Sequence, residues 1–412
     1  MNINPIVLSI PIFFLLIGIE VLIQQFSKNK LYRFNDALTN ISCGITQQVS
    51  GVFLKLFGIG LYVLVYEYVR IWEIPSNWYT LIILFIATDF AYYWAHRMSH
   101  EINLFWSGHV VHHQSEDYNL SVALRQSSFQ VIWTSAFYFP LAIIGFKPLD
   151  FALMAALTTL YQFWIHTELI GKMGFIEKFM VTPSHHRVHH GRNPKYIDKN
   201  HGGTFIVWDM MFGTYQEEEE TPTYGITSPV NSWNPIWANF SHYKIMLHEM
   251  KQVPSFVDKI KYLIYKPGWL PKNMGGYRPA PEIDYVHYNK YTTESSKSLN
   301  LYVLSQYTVF LGITTWFLFT QAQMEMQLKV AIAILIGIAS ITVGALFENK
   351  PWVKWVETLR IICYAMVPVY LVYWQSAPDY LVQVGLGYAV ISIVWLFQAL
   401  SSNKTQLSDV TQ

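Results

Sequence analysis

The chain has 412 residues, of which 52% are hydrophobic and only 13% charged. Soluble domains carry about 25% charged residues, so this composition points to a membrane protein. The net charge is +1 and no basic stripe with interleaved aromatics is present, which excludes nucleic acid as a partner.

A spanning helix needs about 20 mostly apolar residues. By that measure about nine spans are expected, at 6–24, 50–72, 78–95, 129–146, 150–165, 299–320, 328–347, 358–374 and 379–399. The first lacks a preceding basic stretch and a small-residue cleavage site, so it reads as a retained span. The fourth contains Pro140 and the fifth is short, which suggests a partial or re-entrant pair. The mean hydropathy, +0.23, is positive but diluted by a polar stretch over 167–298. The acidic run Glu217 to Glu220 in that stretch reads as a solvated loop. Cys43 and Cys363 lie far apart, which argues against a disulfide framework. The expected fold is an all-α, polytopic membrane helix bundle. It divides into N-terminal spans (1–77), a catalytic region (78–250), a polar connector (251–298) and C-terminal spans (299–412).

Lys28, Lys30 and Arg33 follow the first span, and Lys350, Lys354 and Arg360 lie between the seventh and eighth. The short loops at 73–77 and 375–378 carry no Lys or Arg. The positive-inside rule therefore puts 25–49 and 348–360 in the cytosol. Counting spans from there brings His96, His166 and the polar stretch to the cytosolic face, with Lys147 dissenting on the outside.

Ten of the fourteen histidines fall between 96 and 190. They include three clusters: His96 with His100; His109 with His112 and His113; and His186 with His189 and His190. Residues at i, i+3 and i+4 of a helix share a face, so each cluster offers two or three nitrogens to one centre. Eight imidazoles exceed the needs of one zinc and suit two ions, at four each. All-nitrogen sites favour iron, copper, nickel or zinc over magnesium or calcium. A zinc hydrolase HExxH motif fails, because Leu104 stands where its second histidine should be.

Further residues are weighed individually. His166 ends the fifth span on the same face and reads as a ligand or as a donor that fixes one; its alternative is a histidine snorkelling at the interface. Gln162, four residues earlier, and His185, beside His186, are candidate hydrogen-bond partners of ligands. Asp89 lies inside the third span, where a charge is costly and usually functional; it is a candidate acceptor for a ligand imidazole. Glu101 follows His100 and points about 100° around the helix from it. It could orient a ligand, hold a reductant or deliver a proton, but an ion pair with Arg97 competes. Arg125, Arg187, Arg192 and Lys195 could meet an anionic headgroup or cofactor, or simply be cytosolic positive charge.

The array HxxxH, HxxHH, HxxHH resembles the fatty acid hydroxylase and sterol desaturase superfamily of membrane di-iron enzymes. The wording of His96-Arg-Met-Ser-His-Glu101, Ala123-Leu-Arg-Gln-Ser127, Asp198-Lys-Asn-His-Gly-Gly-Thr204 and Trp208-Asp-Met-Met-Phe-Gly-Thr214 is similar to the alkylglycerol monooxygenases within it. That resemblance implies hydroxylation of the ether-linked carbon of a glyceryl ether drawn from the bilayer. It implies two iron ions, O2 and tetrahydrobiopterin, with a reductase or pterin-recycling partner. The eight box histidines would be ligands, and Glu101 would serve pterin-dependent catalysis. The competing readings are a sterol or fatty acyl hydroxylase using a protein electron donor and, from another class, a membrane metal-binding or transport protein. Ligands gathered at one face argue against a through-path.

Overall fold

The computed structural model describes residues 5–26 and 30–410; Lys28 lies outside the described residues. Among these the chain is helical, with no strand and one isolated bridge, Met180 to Phe205. It divides into two compact units, Met1–Val230 with Ala238–Lys290, and Asn231–Trp237 with Tyr291–Gln412.

In the first unit, α1 (Pro5–Phe26) is followed by α2 (Phe34–Phe53), α3 (Leu61–Val69), α4 (Trp78–Glu101) and α5 (Asn103–His113). Asn77 starts α4 with a reciprocal cap: its side chain accepts from the Thr80 N–H at 3.1 Å while Thr80 Oγ1 accepts from the Asn77 N–H at 3.1 Å. This satisfies two of the donors that a helix start leaves open. Next come α6 (Gln130–Thr134), α7 (Phe139–Ile144) and α8 (Pro148–Trp164). The polar stretch contributes α9 (Pro183–His190), α10 (Val207–Phe212), α11 (Pro235–Gln252, which begins in the second unit) and α12 (Phe256–Ile264). Tyr62, Tyr66, Leu84, Leu141, Phe146, Phe151 and Met154 form an apolar core beneath α4, with the Tyr62 and Phe151 rings stacked at 4.2 Å. Gly145 closes α7 at φ +109°, where a Cβ would lie 1.9 Å from the Trp72 carbonyl oxygen, so only glycine fits.

The second unit carries α13 (Lys297–Thr320), α14 (Met326–Phe347), α15 (Val353–Gln375) and α16 (Tyr380–Val410). Leu386, Val390, Ile391 and Val394 of α16 are exposed, while Glu357 and Arg360 are buried and paired at 2.6 Å. Tyr302 donates to Glu357 at 2.8 Å, and Arg360 donates to Gln306 at 2.8 Å. Apolar outside and paired polar inside is the arrangement that lipid requires.

Among the described residues, five helices are long and apolar enough to cross a membrane, at Ser9–Phe26, Lys297–Gln323, Met326–Phe347, Val353–Trp374 and Tyr380–Lys404. Phe34–Phe53 with Leu56–Val69 makes a sixth if that pair, bent by 67°, is one span. The described residues thus show five or six such spans where nine were expected. The expected span 50–72 is cut after Phe53, in a glycine-rich stretch with Gly51, Gly58 and Gly60. The expected span 129–146 breaks into α6, a 3-10 turn and α7 around Pro140. α8 has 17 residues, and α4 carries Asp89 and ends in His96 to Glu101. The charge argument also loses a member: Arg360 is not in a loop but buried in α15.

Candidate metal centre

Nine buried histidines converge in two groups. His96, His100, His109, His113 and His189 form one; His112, His166, His186 and His190 form the other. Within each, one ring nitrogen per residue lies within 4.8 Å of all the others. His96 and His100 come from the end of α4, the second cluster from α5 and the third from α9. α9 begins at Pro183, whose missing N–H is no loss in a first turn. The clusters are not each devoted to one centre. His109 and His113 belong to the first group and His112 to the second; His186 and His190 belong to the second and His189 to the first.

The inner nitrogens crowd together. Nε2 of His109 is 3.0 Å from Nε2 of His96 and 3.2 Å from that of His113. Nε2 of His166 is 3.2 Å from that of His112 and 3.0 Å from that of His186. Nitrogens about 2.1 Å from one ion, at right angles, lie about 3.0 Å apart. Nε2 of His100, His189 and His190 is buried with no hydrogen-bond partner. Four outer nitrogens are engaged, while those of His109 and His186 are buried without a partner: Nδ1 of His96 donates to the His201 carbonyl at 2.8 Å and that of His112 to the Arg125 carbonyl at 3.0 Å. Nδ1 of His166 donates to the Gln162 carbonyl at 2.7 Å and that of His189 to the Lys199 carbonyl at 2.9 Å. A proton on Nδ1 leaves the Nε2 lone pair free for a metal. Burial holds His109, His113, His186, His189 and His190 well below the usual imidazole range and pushes His112 down to about 4. Neutral rings are what a metal ion needs, and the two groups fit two ions.

Other expected residues are placed as follows. Gln162 orients His166 through its backbone, while its side chain accepts from Tyr92 at 2.6 Å. Asp89 accepts from no histidine; it takes the N–H groups of Thr204 at 2.7 Å and Phe205 at 3.1 Å and the Trp208 indole at 3.0 Å. His185 lies outside both groups; it completes the N-terminal cap of α9, its Nδ1 accepting from the Thr182 N–H at 3.4 Å. Glu101 pairs with Arg97 at 2.9 Å and joins neither group.

The basic residues have partners within the chain. Arg125 is buried and donates to Val111, Asn40 and Gln114 at 2.7, 3.0 and 2.8 Å. The acidic run is not an idle loop: Glu218 holds Arg187 with two bonds of 2.7 Å, and Glu219 and Glu220 each face Lys195 at 3.3 Å. Arg192 lies over the Tyr288 ring at 4.4 Å, beside a cavity of about 250 Å³ lined by Glu282, Asp284 and His287.

Two residues escaped the sequence reading. His201 is fully buried between Tyr93 and the first group. Its signal was a histidine inside a segment already noted for its wording. Glu20, buried in α1, accepts from the Leu120 N–H at 2.8 Å and from the hydroxyls of Tyr32 and Thr167, the last next to His166. Its signal was a carboxylate in an apolar span.

Residues 81–214 match the family model of the fatty acid hydroxylases. The alkylglycerol monooxygenase of Homo sapiens is 37% identical over 87% of this chain and 81% of its own length. That of Xenopus tropicalis is 33% identical over 94% of this chain and 87% of its own. An ornithine lipid hydroxylase of Rhizobium tropici is 24% identical over 38% of this chain and 49% of its own. No solved structure matches the chain. Identity sustained across both units, at that level and coverage, places the chain: it belongs to the alkylglycerol monooxygenase family.

Proposed function

We propose that the protein is a membrane di-iron monooxygenase that hydroxylates the ether-linked carbon of glyceryl ether lipids, using O2 and tetrahydrobiopterin. The hemiacetal product separates into a fatty aldehyde and a glycerol derivative. The observation that carries the reading is the pair of buried histidine groups, five and four, each with ring nitrogens converging within 4.8 Å, and with the outer nitrogens of His96, His112, His166 and His189 tied to backbone carbonyls.

Iron supplies the oxidising power to break an alkyl C–H bond, which no side chain can do. The chain's own residues hold and shape the site. The first group would hold one ion and the second the other. The carbonyls of His201, Arg125, Gln162 and Lys199 keep their imidazoles in the Nδ1–H form. Tyr118 covers the second group, 5.8 Å from the His166 ring and 5.3 Å from that of His190, and restricts water there. Glu101 is proposed for pterin-dependent catalysis on the resemblance; its bond to Arg97 must then open or extend to the pterin. The active site is proposed to face the cytosol, where Lys30, Lys350 and Lys354 fall under the positive-inside rule. In a nine-span layout α4, α8 and the 129–146 segment would make the partial crossings. The lipid tail would stay in the bilayer while its glycerol head meets the histidines.

The test is aldehyde release from a fluorescent alkylglycerol by membranes containing the protein, with and without tetrahydrobiopterin, against His113→Ala. Aldehyde that requires both the pterin and His113 supports the reading. Protein with two irons that instead oxidises sterols or acyl lipids with a protein donor would replace it with the sterol or fatty acyl hydroxylase reading. Protein that binds metal but consumes no oxygen with any lipid would favour a metal-binding role.

A further inference from the structure

His201 is fully buried, and both of its ring nitrogens lack a hydrogen-bond partner. Each unpaired buried polar group costs about 1–3 kcal/mol, and a phenylalanine would fill the space without that cost. The ring centroid lies 5.0 Å from His100 and 5.6 Å from both His96 and His189, all members of the five-histidine group. Two members of that group, His109 and His189, are farther apart, at 6.4 Å. His201 therefore stands at the first group's edge, yet its nitrogens are not among those converging within 4.8 Å.

The backbone around it is held on both sides. Asp209 takes the N–H groups of His201 and Gly202, each at 2.7 Å, and Asp89 takes those of Thr204 and Phe205. Side chains have no room at the two glycines between: a Cβ on Gly202 would lie 2.5 Å from the Phe205 carbonyl oxygen, and one on Gly203 would lie 2.9 Å from Asp89 Oδ1. The same backbone turns His96 through the His201 carbonyl. An octahedral ion with five imidazoles keeps one position for a ligand that is not protein.

We propose that His201 is a positioning residue of the metal centre, whose ring N–H hydrogen-bonds the non-protein ligand in the open position of the ion held by the five-histidine group. This rests on the di-iron reading. It gives the buried ring the partner it lacks, and it makes the two ions unequal in their handling of small anions.

The experiment compares the purified iron-loaded wild type with His201→Phe, His201→Leu and His201→Gln. Iron per chain is measured by mass spectrometry, and azide affinity by the absorption of the oxidised protein. All should hold two irons. His201→Phe should bind azide about tenfold more weakly or worse, the loss of one hydrogen bond to a charged group. His201→Gln, which restores an N–H, should recover most of the affinity; His201→Leu, like Phe without an N–H, should bind azide as weakly as His201→Phe and covers the case in which that variant does not fold. Unchanged azide affinity in His201→Phe or His201→Leu, or no azide binding by two-iron wild type, overturns the proposal. Loss of one iron in His201→Phe also overturns it and makes His201 a ligand. A wild type without iron removes the di-iron reading and this proposal with it, and so is distinct from a failure of His201 alone.

Discussion

Replacing Glu20 tests whether the first span is more than an anchor. Its carboxylate accepts from the Leu120 N–H at 2.8 Å and from the hydroxyls of Tyr32 and Thr167. Those three donors belong to separate segments, and Thr167 follows His166 directly. Arg187 holds the same turn from the other side, donating to the Thr167 carbonyl at 3.0 Å. Glu20→Leu keeps the volume and removes the acceptor. A buried donor left unpaired costs about 1–3 kcal/mol. The Leu120 N–H is stranded, at about 1–3 kcal/mol, while the two hydroxyls can rotate towards other acceptors and lose about 0.5–1.5 kcal/mol each, so the loss should be about 2–6 kcal/mol. That is a large part of a typical stability of about 5–15 kcal/mol. Glu20→Gln retains one acceptor oxygen and should lose about half as much. The thermal midpoint in detergent should fall in the order wild type, Gln, Leu, and iron in the Leu variant should drop towards one per chain as the His166 turn loosens. A Leu variant with the wild-type midpoint and two irons would refute the reasoning.

His112 and His113 are adjacent in sequence but belong to different groups. His112→Gln and His113→Gln should therefore perturb different iron environments, seen as loss or shift of different doublets in the Mössbauer spectrum; identical changes would sink the partition. Stability of the iron-free protein should depend on acid in a defined window. His112 is pushed from the usual 6.5 down to about 4 by burial, and the other rings of α5 and α9 move the same way. Between those values the unfolded chain binds more protons than the folded one, so stability is lost as pH falls from about 6.5 towards 4. The shift of His112 alone corresponds to roughly 3 kcal/mol. Chelator-treated protein melted across that range should show the decline, and iron-loaded protein should show it too from a higher starting stability, because a bound metal also keeps the imidazoles unprotonated; a flat profile for the chelated protein would contradict the neutral-histidine assignment.

Helical spacing made the histidine boxes legible before any coordinates, because i, i+3 and i+4 positions advertise a shared face. Apolar length did the same for α1 and for α13 to α16. Fewer of the spans expected in the first unit meet that measure. There, Pro140, the glycines after α2 and the polar end of α4 interrupt helices whose average composition still looks like membrane. Glu217, Glu219 and Glu220 are exposed in a loop, as the acidic run suggested, but Arg125 and Glu218 were misread for a different reason. A lone charge reads as solvated, and only tertiary structure reveals that Arg125 is enclosed by Val111, Asn40 and Gln114 or that Glu218 grips Arg187. His201 and Glu20 were hidden by isolation: neither has a neighbour at helical spacing to announce it.

The division of the boxes follows from the pitch of the helix. At 100° per residue, positions i and i+4 are about 40° apart, whereas i+3 lies about 60° to the other side of i. An HxxHH helix therefore projects a pair and a single, the single about 60° from one member of the pair and about 100° from the other, and can serve two ions set side by side. HxxxH projects only a pair. α5 gives its pair, His109 and His113, to the first group and its single, His112, to the second. α9 is used in the opposite sense, with His186 and His190 on the second group and His189 on the first. The first group also receives the α4 pair, whereas the second would stop at three histidines. His166 supplies its fourth, from the turn after α8. A solitary histidine outside every box is thus what the box geometry calls for, and it explains why the turn that carries it is clamped from both sides by Glu20 and Arg187.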